Sequence, residues 1–429
     1  MELECPEGWH LVSLRELGEV NRGRSRHRPR YAEHLYGGPY PFIQTGDVKA
    51  SNGRITSYKQ TYSDAGLSQS RQWPAGTMCI TIAANIAETG ILTFPACFPD
   101  SVVGFIAEPE KAEVRFVEYM FRFMRSRIQH QATGSVQDNI NIETLERLRF
   151  PIPPLREQKA IASILGALDD KIELNRRMNA TLEAMARALF QSWFVDFDPV
   201  RAKLDGRKPV GMDDETAALF PNSFQESELG HIPKGWDIKP VGEVVECVGG
   251  GTPSTTVSAY WEDGVHHWTT PKDFSSLQAP FLLDTDRKIT DMGVAKISSG
   301  LLQAGTLLMS SRAPVGYLAI ATMPVAINQG FIAMRCNERA SNFFMLNWCQ
   351  QNMTEMEGRA TGTTFAEISK QNFRPIPVVV PGKELMAAFT TRVAPFYDQI
   401  VLNLHQSRVL ASLRDTLLPK LLSGELKVS

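Results

Sequence analysis

The strongest constraint on this chain of 429 residues is that its short motifs occur twice, in the same order and at a nearly constant offset. Pro6-Glu7-Gly8-Trp9 returns in the second half as Pro233-Lys234-Gly235-Trp236. Four further matches with almost the same offset are Ala75-Gly76-Thr77 with Ala304-Gly305-Thr306, Gly104-Phe105-Ile106-Ala107 with Gly330-Phe331-Ile332-Ala333, Ala132-Thr133-Gly134-Ser135 with Ala360-Thr361-Gly362-Thr363, and Asp170, Ile172 and Asn175 with Asp398, Ile400 and Asn403. Two copies are too few for a solenoid, which needs about three repeats or more. The pattern therefore predicts two similar units related by a pseudo-two-fold axis.

A molecule built from two similar units suits a target that is itself roughly two-fold, and duplex DNA is the leading candidate. The composition is ordinary for a globular protein, with 43% hydrophobic and 21% charged residues, and the net charge is −2. That charge argues against a free-standing, non-specific DNA-binding protein, because such proteins usually carry a pronounced basic stripe. It is compatible with a DNA-reading protein whose phosphate contacts come partly from a partner.

The sequence shows none of the usual signs of a membrane protein or a metalloprotein. No apolar run approaches the roughly 18 residues that suggest a transmembrane helix, and the acidic, proline-broken residues 1–6 do not resemble a signal peptide. The six cysteines are scattered, without the spacing of zinc ligands. His266 and His267 lack a third ligand at useful spacing and indicate a turn or a pair of residues that flanks the core. We therefore expect reduced thiols, a cytoplasmic location and no bound metal.

Each repeat divides into a mixed domain and a long helix. The first part consists of short apolar runs separated by Gly, Pro, Asn and Asp, which is typical of short strands joined by turns, and one helical pattern interrupts it in each copy. We predict an α+β fold with two similar mixed domains and two long antiparallel helices as a coiled-coil spacer. The expected divisions are a first domain at 1–155, a central helix at 156–198, a connector at 199–232, a second domain at 233–382 and a C-terminal helix at 383–429.

The two long helices are predicted from apolar residues at steps of three, four and seven, which is a heptad seam. The first seam is Ile161, Leu165, Leu168, Ile172, Asn175, Leu182, Leu189 and Trp193; the second is Leu385, Phe389, Phe396, Ile400, Asn403, Leu410, Leu413, Leu417 and Leu421. About 39 residues correspond to about 58 Å of helix. Pro395 should kink or restart the second helix. Asn175 and Asn403 are either partly exposed polar residues or buried residues that fix the helix register.

Several segments resemble the specificity (S) subunit of type I restriction-modification systems. They are Pro151-Ile152-Pro153-Pro154-Leu155-Arg156-Glu157-Gln158, Trp193-Phe194-Val195-Asp196-Phe197-Asp198-Pro199-Val200-Arg201-Ala202-Lys203, Ile232-Pro233-Lys234-Gly235-Trp236, Gly250-Gly251-Thr252-Pro253 and Leu417-Leu418-Pro419-Lys420-Leu421-Leu422-Ser423-Gly424-Glu425-Leu426, together with the paired Thr-Gly-Ser/Thr segments. The resemblance extends over essentially the full length. It implies that each mixed domain is a target recognition domain that reads one half of a split, asymmetric DNA site.

The resemblance also implies partners. The helices would dock two copies of an adenine methyltransferase subunit, which flips the base out for chemistry, and restriction subunits would join through the complex. S-adenosylmethionine, ATP and Mg would then be bound by partner subunits, and this chain would bind no cofactor. Candidate partner contacts are Arg156, Glu157, Gln158, Asn175 and Asn403. Domains held by rigid helices should read half-sites about one DNA turn apart, roughly 34–36 Å, so the helices would act as a molecular ruler.

The candidate DNA contacts lie in three kinds of segment. Arg22, Arg24, Arg26, Arg28 and Arg30 alternate in a stretch without a matching acid, which favours phosphate binding over a solvated loop. Polar residues that differ between the copies are candidate base readers: Gln44, Asp47 and Lys49 in the first, and Thr269, Thr270 and Lys272 in the second. Arg312 belongs to a thinner set of cations with which the second copy would contact DNA. Thr133, Ser135, Thr361 and Thr363 belong to loops that either approach DNA or form plain turns.

The sequence contains no catalytic motif, neither the methyltransferase Asn-Pro-Pro-Tyr/Phe nor a GxxxxGK phosphate loop. We therefore expect a non-catalytic DNA-recognition subunit. Two alternatives remain at this point. One is a specificity subunit of another restriction-modification class. The other is a coiled-coil scaffold whose repeated domains bind proteins or glycans.

Overall fold

The computed structural model describes residues 5–27, 29–133, 142–362 and 366–428. The chain forms two compact units, one of residues 1–173 with 407–429 and one of residues 174–406. Each unit contains one mixed domain and part of each long helix. We call the mixed domains the first domain (residues 5–152) and the second domain (residues 224–380).

The first domain consists of short strands and short helices, and a long helix follows it. The strands are β1 (His10–Val12), β2 (Gly18–Arg22), β3 (Tyr36–Phe42), β4 (Gly53–Ile55), β5 (Gln60–Tyr62), β6 (Met78–Thr81), β7 (Thr89–Leu92), β8 (Val102–Ala107) and β9 (Phe150–Ile152). The helices are α1 (Leu14–Leu17), α2 (Thr45–Ala50), α3 (Asp64–Ser68), α4 (Val114–Thr133), α5 (Ile142–Arg147) and the long α6 (Leu155–Phe194), with a 3-10 turn at Glu33–Leu35.

The main sheet of the first domain has the order β2-β8-β6-β7-β4, in which β4 and β7 pair in parallel and the other neighbours are antiparallel. Smaller antiparallel pairs are β3 with β5 and β1 with β9. The predicted apolar face of α4 is buried against this sheet in one core, because Met120 and Phe121 share a cluster with Met78 and Phe105. The short strands and tight turns follow from the Gly, Pro and Asn residues that interrupt the apolar runs.

The second domain and its flanking segments repeat this plan. The strands are β10 (Phe224–Ser227), β11 (Gly230–Pro233), β12 (Asp237–Pro240), β13 (Glu246–Gly249), β14 (His266–Thr269), β15 (Phe281–Leu282), β16 (Arg287–Ile289), β17 (Leu307–Ser310), β18 (Leu318–Ala321), β19 (Val325–Ile327), β20 (Phe331–Arg335) and β21 (Pro377–Val380). The helices are α7 (Asp198–Leu204), α8 (Asp214–Ala218), α9 (Val241–Val244), α10 (Pro271–Phe274), α11 (Asp291–Val294), α12 (Asn342–Gln351), α13 (Met353–Gly358), α14 (Lys370–Phe373) and the long α15 (Lys383–Leu422), with a 3-10 turn at Ser258–Tyr260.

The main sheet of the second domain has the order β13-β20-β17-β18-β15, with β15 and β18 as its parallel pair. This is the same topology as in the first domain, strand for strand. It confirms the predicted α+β fold with an internal repeat.

One of the sequence matches proves to be wrong in register. Met78 pairs with Phe105 in the first domain, and Leu307 pairs with Met334 in the second. Since Met78 and Leu307 follow the matched Ala-Gly-Thr segments directly, Phe105 corresponds to Met334 and not to Phe331. The match of Gly104–Ala107 with Gly330–Ala333 is therefore out of register. Both strands are buried over most of their length, so similar apolar residues recur along them and a match of four residues does not fix the register.

The long helices pack antiparallel within each unit. In the second unit Asn175 Nδ2 donates to the carbonyl oxygen of Asn403 (3.3 Å) and to Gln406 Oε1 (2.9 Å), and Asn403 Nδ2 donates to Asn179 Oδ1 (2.8 Å). Asn175 and Asn403 are 0% and 3% exposed, so the interpretation as partly exposed residues is wrong. The amides form a buried polar ladder, which only one register of the two helices can satisfy.

Two details of the helix prediction need correction. α15 continues through Pro395 as one helix and does not restart there, although proline removes one helical hydrogen bond. Phe389, Val393 and Tyr397 are buried around it, and their packing offsets that loss. Leu413 does not belong to the seam, because it is 46% exposed.

The first domain contacts its helices through a buried charge network. Arg122 on α4 lies 2.6 Å from Glu118 and 3.7 Å from Asp169 on α6, and Asp169 also pairs with Arg414 on α15 at 2.7 Å. Tyr119 OH donates to Asp169 Oδ2 at 2.7 Å. Burial raises the pKa of the Glu118 carboxyl above its ordinary value, although Arg122 opposes the shift.

The second domain uses different chemistry at the equivalent positions. The offset that relates Asn175 to Asn403 also relates Tyr119 to Asn347 and Asp169 to Tyr397. The Asn347 amide donates to Tyr397 OH at 2.8 Å, and Phe343 stacks on Tyr397 with ring centroids 4.5 Å apart. The same structural joint is therefore ionic in the first unit and aromatic in the second.

Candidate nucleic-acid interface

A basic segment leaves the edge of the main sheet of the first domain at the end of β2. Arg22, Arg24 and Arg26 are exposed, whereas Gly23 and Ser25 between them are buried. The Gly23 amide donates to Val102 O at 2.9 Å, and a side chain there would lie 2.3 Å from Phe98 O, so the segment must be glycine at this point. This alternation directs three guanidinium groups to solvent, and none of them is ion-paired within the described part of the chain.

Arg30 differs from these three arginines. Its guanidinium binds both carboxylate oxygens of Asp100, at 3.0 and 2.9 Å. The stretch itself contains no acid, but Arg30 is paired with an acid from a distant part of the sequence. Arg28 lies outside the described residues.

The predicted base-reading segment of the first domain lies beside this basic segment. The Ile43 amide donates to Cys97 O at 2.8 Å and the Arg24 amide to Phe98 O at 3.0 Å, so consecutive residues hold the two segments together. Gln44 is the N-cap residue of α2, and its backbone amide donates to Asp47 Oδ2 at 2.9 Å. Asp47 is thus committed to capping the helix.

Gln44 and Lys49 keep polar groups toward solvent. The Gln44 side-chain amide donates to Gln60 Oε1 at 2.5 Å, and Lys49 Nζ donates to Asn85 Oδ1 at 3.1 Å. Asn85 lies at the tip of the hairpin that joins β6 to β7. The structure therefore brings together α2, the β6–β7 hairpin and the basic segment.

The second domain has an equivalent turn at the start of α10, where Thr270 and Asp273 form a capping box. The Thr270 amide donates to Asp273 Oδ2 at 2.7 Å, and the Thr270 hydroxyl donates to the same oxygen at 3.1 Å. Thr269 is 0% exposed, and its hydroxyl also donates to Asp273. Thr269 was predicted to contact DNA, but it cannot do so because it supports the turn from inside.

A concave pocket of about 450 Å³ lies at this turn. Its lining residues come from α10, the hairpin between β17 and β18, and the residue after β19: Thr270, Pro271, Lys272, Ser275, Arg312, Ala313, Tyr317 and Asn328. Three predicted residues, Thr270, Lys272 and Arg312, thus meet in one site although Arg312 is distant from the other two in sequence. Sequence reasoning missed Ser275, Tyr317 and Asn328, because no motif marks them and only the fold places them here.

Arg312 and Thr361 lie on either side of Glu367. Both form isolated β-bridges to Glu367, and the Arg312 guanidinium is 3.6 Å from its carboxylate. Thr361 is exposed, so this predicted loop residue borders the pocket-forming hairpin. Ser135 and Thr363 lie outside the described residues, and so does the side chain of Thr133 at the end of α4.

The hairpin tips share an unusual backbone conformation in the two domains. Ala84 has a φ of 64° and Ala313 a φ of 58°, which is the left-handed region that residues with a Cβ rarely adopt. They occupy equivalent positions, since β6 and β17 share one register relative to β7 and β18. Such strain costs on the order of 1–3 kcal/mol and concentrates at functional sites.

The predicted partner contacts divide into accessible and inaccessible residues. Arg156 is exposed and Glu157 is half-buried at the start of α6. Gln158 is 1% exposed, accepts a hydrogen bond from the Glu113 amide and donates to Lys111 O and Pro153 O. The assignment of Gln158 to a partner is therefore wrong. The same holds for Asn175 and Asn403, which are buried in the polar ladder.

The family model of the type I restriction modification DNA specificity domain matches residues 6–184 and, a second time, residues 233–390. The chain belongs to this family. It is therefore a specificity subunit, the component that selects the DNA sequence for a type I restriction-modification complex and performs no catalysis itself. Its partners are DNA and the methyltransferase and restriction subunits.

Individual relatives agree with this assignment. The HindI specificity subunit of Haemophilus influenzae is 28% identical over 328 residues, 67% of this chain and 71% of the relative. The MjaIX specificity subunit of Methanocaldococcus jannaschii is 25% identical over 444 residues, 99% of this chain and 95% of the relative. The crystal structure of a type I S subunit from M. genitalium matches 98% of both chains at 16% identity, with a TM-score of 0.55, and shows the same fold.

The described residues hold neither a membrane-spanning helix nor a cluster of metal ligands. None of the helices they form is both long and apolar enough to cross a membrane. They also contain no group of three or more His, Cys, Asp or Glu side chains arranged to hold a metal ion. All six cysteines are free thiols.

Proposed function

We propose that the first and second domains each read one half of a bipartite, asymmetric DNA sequence through the surfaces around α2 and α10. The observation that carries this proposal is the equivalence of the two sites. Each has a capped turn beside a hairpin with a strained alanine, so the frame is shared. The exposed side chains on that frame differ, as two different half-sites require.

The side chains divide into those suited to contact phosphates and those suited to contact base edges. Arg22, Arg24 and Arg26 are exposed cations suited to phosphate, whose neutralisation releases counterions. Gln44 and Lys49 in the first domain, and Thr270, Lys272 and Arg312 in the second, lie at the capped turns and hairpins and suit base edges. Arg28, Thr133, Ser135, Thr361 and Thr363 remain predicted contacts.

Two copies of the methyltransferase subunit are proposed to dock on the long helices. Large apolar residues there are exposed in pairs that the repeat relates: Leu174 with Leu402 at 51% and 61%, and Met185 with Leu413 at 45% and 46%. Both pairs have the offset that relates Asn175 to Asn403. Exposed apolar residues at repeated positions indicate a surface that is used twice. Arg156 and Glu157 would add polar contacts.

Native mass spectrometry of the complex with its methyltransferase subunit tests this stoichiometry. We expect two copies on the wild-type chain and a loss of both in the double variant Leu174→Glu with Leu402→Glu, because each carboxylate would be buried without a partner. Leu229→Glu is the matched control, since Leu229 is 49% exposed but lies outside the helices. A single bound copy, or equal loss in the control, would refute the proposed pair of surfaces.

Cofactors belong to the partners in this proposal. S-adenosylmethionine would be bound by the methyltransferase subunits, and ATP and Mg by the restriction subunits, in the cytoplasm. The family match favours this function over a specificity subunit of another restriction-modification class and over a protein- or glycan-binding scaffold.

Methylome sequencing of cells with and without the gene tests the proposed function. We expect an adenine-modified motif of two separated parts that disappears on deletion. Replacing only residues 224–380 by the corresponding domain of a relative should change one part of the motif and leave the other intact. A single undivided motif, or changes in both parts, would contradict the assignment of one half-site to each domain.

A further inference from the structure

The pocket of the second domain is dominated by hydrogen-bond donors. Its lining includes two cations, Lys272 and Arg312, and no acidic residue among the residues that the structure describes. The oxygen atoms that could accept hydrogen bonds are partly engaged elsewhere. Asn328 Oδ1 accepts from the Gly330 amide at 2.8 Å, and the Thr270 hydroxyl is directed to Asp273. The pocket therefore favours a ligand edge that carries acceptors.

Both cations are held in place by nearby acids but keep hydrogen-bond donors available for a ligand. The Arg312 guanidinium lies 3.6 Å from Glu367 and the Lys272 ammonium 3.4 Å from Asp286. Strong charge-assisted hydrogen bonds are shorter, about 2.7–2.9 Å, so these acids orient the cations and leave donors for a ligand. The side chain of Lys272 is 83% exposed and that of Arg312 is 38% exposed.

The backbone keeps the pocket in shape without its ligand. Arg312 is bridged to Glu367 through main-chain pairing, and the Asp273 cap fixes the turn that carries Lys272. Gly330 supports the floor, because a Cβ there would lie 3.1 Å from both Pro271 and Asn328. A preformed site of this kind discriminates by chemistry instead of by adapting its shape.

In the major groove guanine presents two adjacent acceptors, N7 and O6, and is the preferred partner of Arg and Lys. Adenine and cytosine each place an amino donor on that edge, which would face a cation here. We propose that Lys272 and Arg312 read a guanine in the half-site of the second domain. This inference rests on the proposed function and adds the base that is read.

The first domain lacks this feature at the two described positions that correspond. The capping boxes align Lys272 with Gly46, and the register of the hairpin strands aligns Arg312 with Ala83. Equivalent positions that are cationic in one domain and uncharged in the other give the two half-sites different readout. The guanine requirement at this position therefore belongs to one half-site only.

The test uses the specificity subunit assembled with its methyltransferase subunits and a library of target duplexes. Arg312→Gln and Lys272→Gln should each reduce discrimination for guanine at one position of one half-site by roughly 5- to 100-fold, the range for a bidentate base contact. The other half-site should be unchanged. Arg335→Gln is the matched control, because Arg335 is 42% exposed and pairs with Glu246 at 3.1 Å but does not line the pocket.

The alternative ligand of two cations is a phosphate of the same DNA. In that case both variants would bind all sequences more weakly by one factor, and the salt dependence would fall by about 0.9 in slope for each phosphate that is no longer neutralised. Such a result would overturn the proposal, as would unchanged discrimination in both variants. Lys272→Gln keeps the test valid if Arg312→Gln misfolds, since Lys272 is mostly exposed.

Failure of the proposed function would look different. If the wild-type complex modifies no two-part motif, the proposed function fails, and the guanine assignment fails with it. If the wild-type complex modifies a two-part motif and the variants keep full discrimination, only the guanine assignment fails.

Discussion

At the scale of single residues, the sequence identified which residues have suitable chemistry better than it identified which side chains are exposed and unpaired. Lys272 and Arg312 were predicted from their charge, and the fold brings them into one pocket. Thr269 was selected as a polar residue that differs between the copies, yet it is buried and its hydroxyl donates to Asp273. Gln158 was proposed as a partner contact from the resemblance and Arg30 as a phosphate contact from its charge, but residues distant in the sequence bind both. A single sequence does not reveal which residues far apart along the chain become hydrogen-bond or ion-pair partners.

The basic segment should determine the salt dependence of DNA binding. Replacing Arg22, Arg24 and Arg26 by Gln should make the plot of log affinity against log salt shallower by about 0.9 for each phosphate that is no longer neutralised, with sequence preference preserved. Filter binding of the assembled complex at several salt concentrations measures this. The control replaces Arg207, Lys208 and Lys239 by Gln. It removes the same amount of charge outside the basic segment and should leave the slope unchanged. An altered sequence preference in the arginine variant would contradict a phosphate role.

The polar ladder should matter for stability because its amides are buried. Asn403→Ala removes the donor to Asn179 and the acceptor for Gln399, and each buried group left without a partner costs about 1–3 kcal/mol. Chemical denaturation followed by the helical signal should show this loss. His405→Ala, at an exposed position of the same helix, should cost much less. If Asn403→Ala lowers the free energy of unfolding as little as His405→Ala does, the ladder is dispensable for stability.

At the scale of elements, the repeat conserves topology while the contacts between elements change. The periodicity was sufficient to predict both long helices. It could not show that α15 passes through Pro395, since burial of Phe389, Val393 and Tyr397 decides that point. It also could not show that one domain meets its helices through ions and the other through aromatic rings.

The ionic joint should be sensitive to acid. Asp170, next to Asp169 on α6, pairs with Arg54 and Arg115 of the first domain. Burial tends to raise the pKa of Asp170. The hydrogen bond and charge of Arg54, together with the charge of Arg115, outweigh this effect, so the pKa of Asp170 lies below its ordinary value. A lowered pKa means that the stabilisation is present above about pH 4, the value in an unfolded chain. It disappears as the pH falls through the lower folded-state pKa.

Asp170→Asn should therefore be less stable than the wild type at pH 7, and the difference should shrink at pH 3. The half-exposed ion pairs limit the effect to less than about 1 kcal/mol. Thermal melting at both pH values measures it. Asp398→Asn changes the repeat-equivalent residue, which is exposed, and should show no such dependence. A constant difference across pH for Asp170→Asn would exclude an ionic origin.

At the scale of the whole molecule, the duplication and the fold class were predictable because matched motifs recur throughout the chain. The α+β architecture followed from turn residues and helical periods. The strand order and register did not, because apolar strands resemble one another at several offsets. The candidate site was predictable only in part: its cations stand out in the sequence, whereas its floor and its hydroxyl groups depend on the assembled sheet.

If the helices set the distance between half-sites, lengthening both should lengthen the gap in the DNA motif. A heptad inserted after Arg176 and another after Leu404 keeps the seam in phase and adds about 10 Å to each helix. The preferred gap should grow by about 3 bp, at roughly 3.4 Å for each. Methylome sequencing of the variant measures the gap. Inserting a heptad at 206–211 in the connector is the control, and an unchanged gap in the helix variant would reject the ruler.

The contrast between the ionic and the aromatic joint has a consequence for how such genes can recombine. A crossover at residue 153 would give the incoming domain foreign helix residues, so Arg122 would lose its pairing with Asp169 and keep only the pairing with Glu118. A crossover beyond Asp170 would transfer both partners together. Arg414, on the distant C-terminal helix, would then still have to match. Productive exchange of specificities should therefore favour breakpoints inside the helix over breakpoints at the visible edge of the domain.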